Sequence, residues 1–145
     1  MRELPRQLTA EELAELFEGW TRFVQLLAEQ EDPLTEARNL VRELSEDERI
    51  EVLNAHPAIG AKKLSSRSAA EQGGAEDPAL LEELARLNRA YEQKFGFRFV
   101  VFVNRRPKAA IVPILRERLE RSREEELETA LYELVSIAID RWQRA

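Results

Sequence analysis

The sequence predicts an all-α fold, a single helical domain of about six to eight helices spanning residues 1–145. Three observations carry this expectation. Four segments open with the pattern Ser/Thr-x-x-Glu, at Thr9/Glu12, Ser45/Glu48, Ser68/Glu71 and Ser122/Glu125. In that pattern hydroxyl and carboxylate satisfy orphan amides at a helix start. Apolar residues then recur at spacings of three, four and seven, which place them on one helical face. Only one short segment, 97–103, has the β-branched and aromatic content of a strand.

In chain order, the first helix is expected to run from the Thr9 cap through Leu13, Leu16, Phe17, Trp20 and Val24. A shorter one, from about Thr35 to Leu44, carries Ala37, Leu40, Val41 and Leu44, and the Ser45 cap starts another that reaches Ala55. Asp77-Pro78 reads as an N-cap followed by a first-turn proline, and the stripe Leu80, Leu81, Leu84, Leu87, Tyr91 closes at Gly96. The segment Phe97 to Val103 has no evident strand partner. It is either a buried extended stretch or a helix or small hairpin that overrides propensity; if extended, its amides need acceptors, and an amide-rich ligand is one candidate. The charge run Arg116 to Glu126 reads as a solvated surface with intrahelical pairs. The last helix, about Arg123 to Trp142, presents Leu127, Leu131, Leu134, Val135, Ala138 and Trp142 on one face, flanked by Ile137 and Ile139.

Composition narrows the function. A chain of 145 residues with 43% apolar content can build one real core. Its 34% charged residues and net charge of -6 give no electrostatic footprint for nucleic acid or an anionic membrane surface, so neither is expected as a partner. Without cysteine there is no disulfide framework, thiolate nucleophile or Cys-type zinc site. Residues Met1 to Ala10 contain no apolar signal core, the run Phe99 to Val103 is far too short to span a bilayer, and Gln143-Arg144-Ala145 is not a peroxisomal address. A bacterial cytoplasm is the expected location.

Few residues can carry chemistry. His56, the single histidine, precedes Pro57, which pushes it out of helical geometry at the end of the Ser45–Ala55 helix. A lone histidine of this kind is either structural or a proton-transfer group, and with no second histidine and no cysteine no transition-metal site is expected. Ser68 and Glu71, beside Gln72, form a capping box, although the amides of a helix start can also line an anion pocket. Arg141 falls inside the apolar arc of the last helix, between Ile137 and Leu134, where a guanidinium must snorkel, pair with a carboxylate or receive a ligand anion.

The order of these features is more specific than any of them. His56-Pro57-Ala58-Ile59-Gly60, then Ser68-x-x-Glu71-Gln72, then Phe95-Gly96-Phe97-Arg98-Phe99, then a terminal helix with Ile137 and Arg141, resembles the 2-oxo-4-hydroxy-4-carboxy-5-ureidoimidazoline (OHCU) decarboxylase family. The likeness covers nearly the whole chain, beginning at Phe17-Glu18 and Trp20. It implies a compact helical enzyme, commonly a homodimer, that converts OHCU to (S)-allantoin and carbon dioxide without a cofactor or metal. Residue by residue it implies His56, Glu71 and Arg141 as the catalytic set. Pro57, Ser68, Gln72 and the backbone of Phe97, Phe99, Val100 and Val101 would be the substrate contacts. The chain departs from the family pattern at Ala58 and Ile59, where Asp-Leu is usual, in a shorter segment between His56 and Glu71, and at Arg98 and Arg105, where small residues or glycine are usual.

The implied reaction suits such a sparse inventory. Loss of carbon dioxide leaves an electron pair that the ring C=N of OHCU can accept, so the protein need supply only orientation and proton transfer. His56 and Glu71 would then work on the substrate hydroxyl while Arg141 holds a substrate oxygen. A non-catalytic ligand-binding module, with His56 exposed and Arg141 snorkelling, and a ureide hydrolase are the competing readings.

Overall fold

The computed structural model describes residues 3–5, 7–59 and 77–144. Among the described residues the chain is all-helical, with seven helices: α1 (Ala10–Phe17), α2 (Arg22–Ala28), α3 (Pro33–Glu43), α4 (Glu46–Ala55), α5 (Pro78–Phe95), α6 (Lys108–Leu119) and α7 (Arg123–Arg144). The caps at Thr9, Ser45 and Ser122 form as expected, each hydroxyl accepting from an amide three residues on while the glutamate there returns to the cap amide. Asp77 caps α5 through the amide of Ala79, and Gly96 ends it at φ 81, a left-handed conformation that costs glycine nothing.

Helix α7 is the spine. α1, α3 and α4 pack against it, α2 packs on α1, α3 and α4, and α5 pairs with α6. Leu127, Leu131, Leu134, Val135 and Ala138 are buried as their periodicity requires. Fully burying a leucine- or phenylalanine-sized side chain is worth about 1.5–3 kcal/mol, so this face holds the helices together. Among the described residues no helix is long and apolar enough to cross a membrane.

Three features differ from the sequence reading. The expected first helix is two helices. α1 stops at Glu18, whose φ of 65 is left-handed, and Thr21 caps α2 by accepting from the Val24 amide. The turn lets Gly19 sit so close to the end of α4 that a Cβ there would lie 3.1 Å from that of Ala55. Trp20, expected on the buried face, is 64% exposed on that turn. Second, α6 was not foreseen. Its inner stripe Ile111, Val112, Leu115 continues into Arg118, and Pro113 interrupts its interior, so both the charge and the proline hide the helical pattern.

Third, the run Arg116 to Glu126 is mostly exposed, as expected, but two of its charges are not solvated. Glu126 and Arg118 are buried and paired at 2.7 Å, Tyr91 Oη donates to the same carboxylate at 2.6 Å, and Arg121 reaches its other oxygen at 3.1 Å. Arg116 pairs with Glu83 of α5 rather than within its own helix. Spacing along one helix could not show that these charges meet across α5, α6 and α7.

Residues 97–103 are extended and belong to no sheet, and their backbone is held by side chains instead. The Arg98 amide donates to Asn54 Oδ1 (2.9 Å), Val100 O accepts from Arg118 Nη1 (2.8 Å), and Phe102 O accepts from Arg106 Nη2 (2.6 Å). Phe97 and Phe99 pack edge-on against Tyr91, and the Arg118 guanidinium lies 4.6 Å from the Phe99 ring centre. No hydrogen bond among the described residues engages the amides of Val100 and Val101.

Candidate active site

His56 caps the C-terminus of α4 with φ -78 and ψ 139, the extended conformation that a following proline imposes. Arg98 fastens this corner: Nη1 donates to the carbonyls of Asn54 (3.1 Å) and His56 (2.5 Å), and Nε reaches Glu92 at 3.1 Å. A guanidinium on the last carbonyls of a helix opposes the negative end of its dipole. The departure at position 98 thus ties the extended segment to the histidine turn.

The His56 ring is buried, and among the described residues its Nδ1 has no hydrogen-bond partner. Burial, with the positive charges of Arg141 and Arg98 adding to it, lowers its pKa to about 3. The imidazole is therefore neutral at physiological pH and has a lone pair to offer.

That shift has a consequence for stability. A histidine whose folded pKa lies below its unfolded value opposes folding once the unfolded chain takes up the proton, so stability is intact above about pH 6.5 and falls as the pH drops toward 3. The slope approaches about 1.4 kcal/mol per pH unit, which makes about 2 kcal/mol between pH 6.5 and 5. Urea unfolding of the wild type and His56→Asn at pH 7 and pH 5 should show the wild type losing about that much more. Equal losses in the two proteins would place the titration elsewhere.

A cavity of about 290 Å³ opens beside the ring, lined by His56, Pro57 and Ile59, by residues 99–105, and by Ile137, Asp140 and Arg144 of α7. The structure thus brings Pro57, Phe99, Val100 and Val101 to one cavity with His56. Phe97 stands outside its lining, in the aromatic cluster with Tyr91 and Phe95. Arg141 is buried and also absent from the lining described. Its Nη1 donates to Leu16 O (2.9 Å) and pairs with Glu18 at 3.1 Å, yet its charge is felt at His56. Of the three options open to Arg141, pairing with a carboxylate is realised, and the break after α1 is what brings Glu18 there. Ser68, Glu71 and Gln72 lie outside the described residues.

Sequence reasoning passed over Glu18 as a partner, Asp140 and Arg144 on the wall, and the structural use of Arg98. The spacing of Ile137, Asp140 and Arg144, three and seven along one helix, was the available signal for the wall.

The fold and this site define an all-helical protein with a small-molecule cavity, in which a neutral buried histidine at a helix end faces a sheetless extended segment. Comparison with known proteins adds the lineage. The family model described as OHCU decarboxylase matches residues 2–143, and the chain belongs to that family. It is 34% identical over 105 residues to the 2-oxo-4-hydroxy-4-carboxy-5-ureidoimidazoline decarboxylase of Halalkalicoccus jeotgali, a match covering 69% of this chain and 60% of that protein. The protein of the same name from Haloferax volcanii is 34% identical over 106 residues, covering 70% and 63%. The chain therefore spans somewhat under two thirds of the length of these relatives. Among solved structures, OHCU decarboxylase in the presence of (S)-allantoin superimposes with a TM-score of 0.76 at 26% identity, over 90% of this chain and 94% of that one.

Proposed function

We propose that this protein decarboxylates OHCU to (S)-allantoin in urate breakdown. The observation that supports this reading best is the placement of a neutral, buried His56 on the wall of a cavity that is also lined by Val100 and Val101, whose amides no described residue engages. Such amides suit a ureido or ring carbonyl oxygen, and His56 suits a hydroxyl proton.

In this mechanism the bond to the carboxylate breaks, carbon dioxide leaves, and the electron pair moves through the ring into the C=N, whose nitrogen takes up a proton. His56 accepts the proton of the substrate hydroxyl, which becomes the ring carbonyl, and a proton is delivered to the ureido-bearing carbon. The anionic substrate raises the basicity of the ring as it enters, because a nearby negative charge favours imidazolium. Glu71 shares that proton, and Ser68, Gln72, Pro57 and the backbone of Phe99, Val100 and Val101 contact the substrate, while Phe97 supports that backbone from the aromatic cluster outside the cavity. Arg141, held by Glu18, supplies positive charge. The reading includes a homodimer of one domain, and a cytoplasmic location with which the cysteine-free composition is in keeping.

The deciding experiment follows freshly generated OHCU by absorbance and its product by circular dichroism. Spontaneous decarboxylation gives a planar intermediate open to protonation on either face, so a single enantiomer formed faster than background requires a fixed donor. Racemic allantoin at the background rate would defeat the proposal. Arg141→Lys should lose most of the activity and stay folded, because the flexible stem and compact charge of lysine do not reproduce the position at which Nη1 of the rigid guanidinium meets both the Leu16 carbonyl and Glu18. Turnover equal to wild type in that variant would remove Arg141 from the catalytic set.

A further inference from the structure

Val103, Asn104, Arg105 and Arg106 form a tight turn closed by a 3.0 Å hydrogen bond from the Arg106 amide to Val103 O. Both central residues are left-handed, with φ 48 at Asn104 and φ 64 at Arg105. This is the type I′ pattern, in which asparagine is at home in the first central position and glycine is strongly favoured in the second. An arginine there is strained, and a strained residue persists when something else selects it.

The position of Arg105 shows what that could be. It lines the mouth of the cavity that holds His56, its side chain is exposed, and no carboxylate among the described residues pairs with it. The other charges described on that wall are accounted for. Arg144 Nε bonds both oxygens of Asp140 at 2.8 Å. The adjacent Arg106 spends its guanidinium on the carbonyls of Phe102 and Val103. The wall described therefore carries one net positive charge, at its mouth, on a chain whose overall charge of -6 repels anions.

We propose that Arg105 is a substrate-binding residue that draws in and orients the carboxylate of a small carboxylated ureide at the cavity mouth. This rests on the decarboxylase reading and deepens it, because it assigns recognition of the leaving carboxylate to a residue that turn chemistry disfavours. The product of decarboxylation lacks that group, so Arg105 favours substrate over product.

The test uses the full chain, wild type and Arg105→Gly, with Arg105→Gln as a second variant that keeps a side chain at the turn. With freshly generated OHCU, both variants should show KM raised about three- to tenfold, as expected for loss of one exposed charge contact, with a smaller change in kcat. The rise should shrink as salt is increased to about 0.5 M, where exposed charges are screened. Affinity for (S)-allantoin, measured by calorimetry, should stay within about twofold of wild type, because the neutral product offers the charge nothing. Arg105→Gly should also melt at a higher temperature than wild type, which separates the charge from the turn. A KM within twofold of wild type at low salt, or an equal loss of allantoin affinity, would overturn the assignment while leaving the decarboxylase reading intact. Wild-type protein that leaves OHCU to decay at its spontaneous rate would overturn both.

Discussion

His56→Asn is expected to reduce OHCU turnover by about 100- to 10,000-fold, the range over which a positioned proton-transfer group acts. Asparagine keeps a polar side chain at the end of α4 but cannot take up a proton. The backbone of the turn does not depend on the ring, since the His56 amide donates to Leu53 O at 3.2 Å and its carbonyl accepts from Arg98. The ring itself is buried and no described residue partners Nδ1, so its removal vacates some packing without breaking a hydrogen bond to any of them at that atom. Stopped-flow absorbance beside a thermal melt would separate the two effects. A variant that retains more than a tenth of wild-type activity would exclude His56 as the proton acceptor.

The largest effect on stability is expected from Glu126→Ala. This carboxylate is fully buried and receives Tyr91, Arg118 and Arg121 at 2.6, 2.7 and 3.1 Å. Burial and the carboxylate together push the Tyr91 phenol above its ordinary pKa, so the hydroxyl stays protonated and donates. Deleting the anion strands a buried guanidinium, which costs about 3–5 kcal/mol and lowers Tm by roughly 10 °C or more in a chain of this size. Replacing both partners, Glu126→Leu with Arg118→Met, should recover much of that loss, because an apolar pair of similar volume leaves no buried charge. The double variant should still lose activity, since Arg118 also holds Val100 O at the cavity wall. Calorimetric melts of the single and double variants decide the matter; a shift below about 3 °C for Glu126→Ala would show the network to be marginal.

Much of this architecture was legible in the chain. The caps at Thr9, Ser45, Asp77 and Ser122 are local chemistry, satisfied within three residues, and they mark helix starts wherever the helix later packs. Gly96 marks a stop for an equally local reason. The apolar stripe of α7 identified its buried face, and the pre-proline position put His56 at a bend. The resemblance to the family rested on the order of such local signals.

Other features depended on distance. A charge inside an apolar stripe is an ambiguity that periodicity cannot resolve, because only a partner from another element decides between burial and snorkelling. Arg141 found Glu18 and the Leu16 carbonyl across the α1 turn, and Arg118 found Glu126, Tyr91 and Val100 O. The extended segment 97–103 posed the question of where its amides and carbonyls go, and arginines and Asn54 from distant positions supplied much of the answer. The sequence by itself determined where the capped helices begin, where Gly96 stops α5, which face of α7 is apolar, and that the single histidine sits at a helix end. Tertiary structure alone decided which buried charges are compensated, that the first helix breaks to deliver Glu18, and that His56 is neutral. The reason is physical: caps and stripes are settled by neighbours within a few residues, whereas desolvation and ion pairing depend on everything packed around a group.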